Sequence, residues 1–369
     1  MFVNKKYTVQ IEVITPIHVG ASSEKHYIKD LDFFYDKKSH KVIFFNHNNL
    51  INSAYSNAYI NHLINADYQA IKNIVTRDNT FEGKRIKLYN DPGSNIKANI
   101  RNGLTGKPII PGSSIKGAIR SVLFNHLRER NERTNEAVFG SLNNGNDFMR
   151  FIRISDAQFE NIDIVTAKIF NLYQNQGEWQ SGWKHERVGG TNRTFATNGF
   201  TTSFEVIAIG ETTTFEVMLS DVLFDLFHNL KNNRLHNHNK KSQILHNNIT
   251  TLFRVINKYT HKFIIKEISF FREFNQAENS ERIIDNLQEY LLPLIDNSEN
   301  PKSCLLRLAS GSGFHSITGD WQRNDHISTI SNPLNGKRYK SRRLVFFYNE
   351  NDELELLPMG YVLLKLKEK

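Results

Sequence analysis

The sequence predicts an α+β fold in which strands and helices are segregated along the chain, and three observations support this prediction. Apolar and polar residues alternate from Tyr7 to Val13, which indicates a strand with one buried face. Apolar residues from Ile115 to Leu127 instead follow helical spacing, and further helical patterns lie together between residues 221 and 295. Because the two kinds of element do not alternate strictly, a sheet covered by helices is favoured over a doubly wound fold.

The remaining elements are assigned from the same two periodicities and from the turn residues between them. In chain order they are a hairpin of residues 31–35 and 41–45, a helix capped by Asn48 or Asn49 and running to residue 66, a polar and basic loop over 78–106, a strand over 150–155, a long loop over 174–199, a hairpin of 204–209 and 214–219, helices over 221–230, 242–258 and 281–295, and strands over 305–309, 344–348 and 361–366.

Length and composition bound the class of protein. A chain of 369 residues exceeds the usual size of one hydrophobic core, so two domains are expected. Lysine and arginine number 47 against 38 acidic residues, which attracts an anionic partner such as nucleic acid. The single cysteine, Cys304, excludes an internal disulfide and is expected in the core. No signal-peptide pattern and no apolar run near ~20 residues is present, which predicts a cytoplasmic protein with no membrane partner.

The sharpest local motif is the run Ile-Pro-Gly-Ser-Ser-Ile-Lys-Gly-Ala-Ile-Arg at residues 110–120. Its glycine lets the backbone approach a ligand, one of its serines can cap the helix, and the first N–H groups of the helix form an anion site. The lysine and the arginine lie four residues apart, where they can hold successive phosphates. A capped helix with two solvated cations fits the spacing equally well. The candidate RNA-contacting residues are Gly112, Ser113, Ser114, Lys116 and Arg120.

A second glycine-rich segment covers residues 311–319. Glycines free backbone N–H groups to meet phosphates, and neighbouring rings can stack on bases. No helical pattern follows, so a dinucleotide site is not predicted. An ordinary turn around a buried ring is the alternative. The candidate RNA contacts here are Gly311, Gly313, Phe314 and His315.

Catalytic and metal sites find little support in the sequence. His18 and His315 follow strands and lie beside glycine, so either can in principle act as a general acid or base in RNA cleavage, but no partner is evident. The chain lacks the HExxH, paired-cysteine and GxSxG motifs, so the metalloprotease, zinc-finger and hydrolase classes lose their usual support. Asp156 is interpreted as a turn or capping residue. No cofactor and no metal are predicted.

The chain resembles the repeat-associated RNA-binding protein (RAMP) superfamily of CRISPR systems. The matching pieces occur in the family's order and are the segment Thr-Pro-Ile-His-Val-Gly at 15–20, the run at 110–120, Arg-Ile-Ser-Asp-Ala at 153–157, the stretch from 186–188 to 204–206, and the late glycine-rich loop. The resemblance implies two ferredoxin-like or RRM-like domains with inserted helices, over residues 1–210 and 211–369. It also implies RNA contacts by His18 and Gly20, and by Arg187 and Arg193 in a hairpin that inserts between nucleotides.

Within the superfamily, the length and residues 357–364 are most similar to the subunit that caps the guide-RNA 3′ end in type III-A, or Csm, complexes. That similarity implies a non-catalytic subunit that binds crRNA and target RNA, contacts the terminal backbone subunit and the small subunit, and contributes to crRNA maturation and antiviral defence. Two alternatives stay open. One is an endoribonuclease of the same superfamily that cleaves repeat RNA, and the other is an RNA-end subunit of the type III-B complex.

Overall fold

The computed structural model describes residues 4–21, 25–88, 90–129, 132, 134–141, 145–229, 237–246, 248–308, 341–348, 351 and 353–367. These residues form a mixed α+β structure, as predicted. The helices are α1 (His47–Ile51), α2 (Ser56–Ile64), α3 (Tyr68–Val75), α4 (Gly112–Leu127), α5 (Asn135–Phe139), α6 (Asp221–Asn229), α7 (His238–His246), α8 (Ile249–Glu273) and α9 (Ser280–Asp285). Short π- and 3-10-helical turns, Asn286–Leu291 and Leu292–Leu294, continue α9.

Most strands belong to two large sheets. They are β1 (Lys5–Val13), β2 (His26–Ile28), β3 (Phe33–Asp36), β4 (Lys41–Phe45), β5 (Glu82–Lys87), β6 (Asn95–Lys97), β7 (Ile109–Ile110), β8 (Ile152–Ile154), β9 (Ala157–Gln158), β10 (Ile162–Asn175), β11 (Glu178–Lys184), β12 (Thr191–Asn192), β13 (Thr201–Ile207), β14 (Thr212–Leu219), β15 (Ser303–Arg307), β16 (Ser341–Tyr348), β17 (Leu354–Pro358) and β18 (Tyr361–Leu366).

The first sheet is antiparallel, with the strand order β15-β18-β1-β14-β8. The alternation predicted for β1 is confirmed, since Val9, Ile11 and Val13 are fully buried. Helices α4 and the first half of α8 cover this face. Cys304 lies in the same core and is fully buried, as expected. The sheet therefore joins the beginning of the chain to residues 361–366.

The second sheet has the order β12-β11-β10-β13-β6-β2, and β16 pairs with both β10 and β17. Its core includes Phe170 and Trp183, and it packs against the second half of α8 and against α9. Helix α8 thus belongs to both cores, with Ile256 in the first and Ile264 in the second. A smaller sheet, β3-β4-β5, packs on α1 to α3. None of the described helices is long and apolar enough to cross a membrane.

The hairpin predicted for residues 204–209 and 214–219 is wrong, although both strands exist. β13 pairs with β10 in the second sheet, whereas β14 pairs with β1 in the first. Between them Gly210 adopts φ +82°, and its N–H donates to Val13 O at 2.8 Å. The chain therefore crosses from one sheet to the other because each strand has a long partner elsewhere.

Two segments predicted as loops contain strands. Residues 78–106 include β5 and β6; the lysines and arginine of β5 are exposed because β5 is the edge of the small sheet. Residues 174–199 include β11 and β12, and the turn into β11 uses Gln176 and Gly177 at φ +51° and +87°. Two residues with positive φ are typical of tight hairpin turns.

Two predicted helices have different bounds. The helix placed from Asn48 or Asn49 to residue 66 is split into α1 and α2, and Asn46 is the actual cap, because its side chain accepts the N–H of Asn49 at 3.1 Å. The helix placed over 242–258 is divided near Asn248, which adopts φ +82°, and α8 continues to Glu273.

The first sheet takes strands from both sides of residue 210, and the two-domain division stays a prediction.

Candidate nucleic-acid interface

Four short segments pair side by side and connect two of the predicted RNA-binding motifs. We call them the ribbon, and they are residues 17–20, 99–101, 108–110 and 157–159. The N–H of Ile100 donates to Val19 O at 2.7 Å, and the N–H of Phe159 donates to Pro108 O at 2.9 Å. His18 and Gly20 lie at one end of the ribbon, and α4 begins just after its third segment.

A cluster of cations and rings lies at the His18 end. The cation–aromatic cluster consists of His18, Lys97, Phe204 and Arg343. The ring centroids of His18 and Phe204 are 4.9 Å apart in an edge-on arrangement. Lys97 Nζ and Arg343 Cζ each lie 5.5 Å from the centroid of Phe204. β6 and β13 position the lysine and the phenylalanine as direct parallel neighbours.

His18 is fixed inside this cluster. Its side chain is 3% exposed, and Nδ1 lies 2.8 Å from Glu205 O. Burial lowers the pKa of His18, and the positive charges of Lys97 and Arg343 lower it further, against the opposing effect of the bond to Glu205 O. The imidazole is therefore neutral near pH 7, and it serves as a hydrogen-bonded packing residue.

The two cations of the cluster have no carboxylate partner among the residues that the structure describes. The carboxylate of Glu205, the residue after Phe204 on β13, is fully buried and already binds Arg101 and the N–H of Asn99. Burial also lowers the pKa of Arg343. Two unneutralised cations beside an exposed glycine, Gly20, form a surface that suits a phosphate.

Gly112 lies where α4 touches the end of β8. A Cβ atom at this position would be 2.8 Å from Ser155 O and closer still to Ile154 O, so only glycine fits without a shift. The N–H of Gly112 donates to Asp156 Oδ1 at 2.7 Å. The predicted cap by Ser113 or Ser114 is therefore wrong: both serines lie inside the first turn, Pro111 is the cap residue, and Asp156 supplies the anion.

Arg120 is not a free cation. Its Nη2 lies 3.0 Å from Asp147 Oδ2, whose side chain is 3% exposed, and its Cζ lies 4.4 Å from the ring centroid of Phe139. Arg120 therefore anchors α4 to the segment that contains Phe139 and Asp147. Lys116 is half-buried, and its burial lowers its pKa; Asp147 opposes this change, whereas Arg120 and Arg153 add to it.

The hairpin predicted to insert between nucleotides lies at the opposite side of the second sheet from the cation–aromatic cluster. Arg187 is exposed beside Val188, which is 83% exposed at the tip of the β11–β12 turn. Arg193 donates to Gln180 Oε1 at 3.0 Å. β10 and β13 separate this edge of the second sheet from β6 and Lys97, so the two arginines do not join the ribbon.

Sequence reasoning missed part of the cluster. Lys97 was assigned to a basic loop, and neither Phe204 nor Arg343 was singled out; only the position of Phe204 in a family-matching stretch pointed to it. Gly311, Gly313, Phe314 and His315 lie outside the described residues. Among the residues that are described, no three His, Cys, Asp or Glu side chains are arranged to hold a metal ion.

Comparison with known proteins identifies the class. Residues 10–323 match the model of the RAMP superfamily, and the chain belongs to that superfamily. Among solved structures, it is similar to a chain of the Csm-crRNA-target RNA ternary complex of a type III-A CRISPR-Cas system, with a TM-score of 0.63, 16% identity and coverage of 98% of this chain and 100% of that one.

The fold is also similar to that of T. onnurineus Csm5, with a TM-score of 0.57, 15% identity and coverage of 96% of this chain and 99% of that one. No curated protein gives a significant sequence match. At these identities the two solved structures establish the fold alone.

Proposed function

We propose that this chain is a non-catalytic RNA-binding subunit of a type III-A effector complex, which binds the 3′ region of the crRNA and caps the backbone filament. The observation that carries the proposal is the pair of unneutralised cations, Lys97 and Arg343, on a fold that matches a Csm-complex chain over its full length. That chain was solved together with crRNA and target RNA. Two ferredoxin-like domains, divided near residue 210, and a cytoplasmic location belong to the same proposal.

The geometry favours binding through the sugar-phosphate backbone. Lys97 and Arg343 carry positive charge with no carboxylate partner in the part of the chain that the structure describes. Gly20 leaves room for a ligand, because a Cβ there would meet nothing closer than His18 Nε2 at 3.6 Å. Phosphate contacts fix the register of a strand without reading its bases. A subunit that holds guides of any sequence needs contacts of this kind.

The face of the first sheet opposite α4 does not offer the stacking used by RRM domains. The side chains that β1 and β14 present there include no ring; they are Lys6, Thr8, Gln10, Glu12, Thr212, Thr214, Glu216 and Met218. The ribbon and its cluster are therefore the better candidate for the RNA path.

The test is purification of the tagged protein from its own host, with sequencing of the bound RNA and identification of the co-purifying proteins. Short RNAs with a shared repeat-derived 5′ tag, together with other effector subunits, are expected. The double variant Lys97→Ala and Arg343→Ala should keep the protein partners and, as the isolated protein, bind RNA more weakly, whereas the control Lys37→Ala and Lys38→Ala should change neither property. Recovery of the protein alone, or with unprocessed repeat RNA, would overturn the proposal.

The same preparation separates the alternatives. An endoribonuclease would cleave repeat RNA, and loss of that cleavage in His18→Ala with His315→Ala would support it. The buried, backbone-bonded ring of His18 offers little to such a reaction. Co-purification of type III-B subunits would instead assign the chain to that complex.

A further inference from the structure

The outer face of α8 carries a row of cations. The α8 basic row consists of Arg254, Lys258, Lys262 and Lys266, all exposed. None forms an ion pair with a described residue. The first acidic residue of the helix is Glu267, which is buried and binds Arg342 at 2.8 Å. The positive charge of the row is therefore not balanced by the described residues.

The row winds gradually around the helix, because each step of four residues turns about 40° beyond a full turn, or about 120° over the three steps. Successive members are four residues apart, which corresponds to about 6 Å of rise per step and about 18 Å in all. Lys240 of α7 extends the charge at the N-terminal end: partial burial lowers the pKa of His126 on α4, and Lys240, Lys258 and Arg254 lower it further. Several cations thus act on one small region of the surface.

The inner face of α8 holds the row rigidly. Ile256 packs in the first core and Ile264 in the second. Asn257 Nδ2 donates to Asp296 O at 2.8 Å and to Ser303 O at 2.9 Å. The helix therefore cannot turn its charges away from one another, although like charges four residues apart destabilise a helix. No described acidic side chain pairs with the row to compensate for this repulsion.

We propose that the α8 basic row binds the sugar-phosphate backbone of single-stranded RNA at a site separate from the ribbon. At about 3.4 Å per nucleotide along a stacked strand, 18 Å of helix faces roughly five phosphates. Lysine side chains suit this ligand because flexible point charges follow a backbone without reading bases. The inference does not depend on the proposed function.

A protein partner fits less well. Protein interfaces are depleted in lysine and rely on buried aromatic and apolar anchors. On this face the exposed large apolar side chain is Ile265, at 42% exposure. An acidic peptide would need to meet the same row without such anchors.

The first experiment measures binding of the full-length protein to labelled oligouridylate across a salt series. The triple variant Lys258→Ala, Lys262→Ala and Lys266→Ala should bind more weakly, and its plot of log K against log salt should be shallower by about two, since each lost contact to a single strand removes about 0.7. The control triple Lys37→Ala, Lys38→Ala and Arg77→Ala removes equal charge from exposed sites and should change neither. Equal behaviour of the two triples would overturn the proposal.

A second measurement locates the contact. Oligouridylate should protect Lys258, Lys262 and Lys266 from acetylation, as read by mass spectrometry, also in the Lys97→Ala and Arg343→Ala variant. Protection by polyglutamate but not by RNA would assign the row to an acidic protein and defeat the proposal. Complete loss of RNA binding in the Lys97→Ala and Arg343→Ala variant, with unchanged binding in the α8 triple variant, would sustain the proposed function and reject the α8 site.

Discussion

Replacing Gly112 with alanine tests whether the glycine of the Pro-Gly-Ser-Ser run serves packing rather than RNA contact. The added methyl group would lie 2.8 Å from Ser155 O and closer to Ile154 O. Both atoms are backbone, so α4 must move away from the end of β8. The shift would also disturb the 2.7 Å bond from the N–H of Gly112 to Asp156 Oδ1.

The expected loss of stability follows from these contacts. Overpacking of this kind costs typically 1–3 kcal/mol. A hydrogen bond to a charged acceptor contributes about 1.5–3 kcal/mol. Alanine returns up to about 1 kcal/mol through its higher helix propensity. We expect Gly112→Ala to lower the free energy of unfolding by about 3 kcal/mol, which leaves the protein folded, since domains are typically stable by about 5–15 kcal/mol.

The assay is urea unfolding followed by circular dichroism, with RNA affinity measured on the folded variant. Asp156→Ala should lose only the hydrogen bond, about 2 kcal/mol, and Gly112→Ala with Asp156→Ala should cost less than the two single changes added, because they share that bond. RNA affinity should stay near that of the parent. A change in stability within about 0.5 kcal/mol, together with weaker RNA binding, would show that Gly112 contacts RNA instead.

Three further predictions concern buried charge. Burial lowers the pKa of Lys241 from 10.5 to about 8, so at pH 7 the folded protein carries this charge at a cost of up to about 3 kcal/mol. Lys241→Met should therefore raise the melting temperature at pH 7, and the gain should shrink between pH 8 and 10.5 as the lysine of the folded parent loses its proton. An unchanged melting temperature at pH 7 would refute this. Arg120→Ala leaves the buried carboxylate of Asp147 without its arginine and should lower the free energy of unfolding in urea by about 3–5 kcal/mol. Adding Asp147→Asn should restore part of this loss. An unchanged free energy of unfolding in Arg120→Ala would contradict the anchoring role. Burial lowers the pKa of His18, so below about pH 6.5 the unfolded chain binds more protons than the folded one, and stability decreases as the pH is lowered. His18→Gln should reduce this loss of stability between pH 7 and pH 5, and equal slopes for the variant and the parent would count against it.

Local pattern identified the elements that bury one face. β1 alternates, and α4 carries an apolar stripe, so both were predictable from their own residues. Pairing was not. β13 and β14 adjoin in sequence and suggest a hairpin, but β14 pairs with β1 some 200 residues away. Partner choice depends on which faces meet in the folded chain, and period-2 alternation carries no information about that.

In the candidate site, too, the local pattern pointed to individual residues but not to their partners in the folded chain. The sequence singled out Gly112 and Arg120 as exposed contacts, because spacing alone cannot show that Asp156 and Asp147 occupy them. Arg343 reaches the cluster only because β16 pairs with the middle of β10. Whether a cation such as Lys97 or Arg343 has a described carboxylate partner depends on the tertiary fold, so the sequence alone could not single these two out.

The position of β1 between β14 and β18 has a consequence for synthesis of the protein. β1 is synthesised some 350 residues before β18, yet among the described residues it is the strand 361–366 that pairs with one of its edges. Until those residues emerge, that edge stays open to other strands, and such edges promote aggregation. The closing step joins segments some 350 residues apart and is slow for that reason. A truncation that ends before residue 361 leaves this edge of β1 without β18 and should therefore yield insoluble protein.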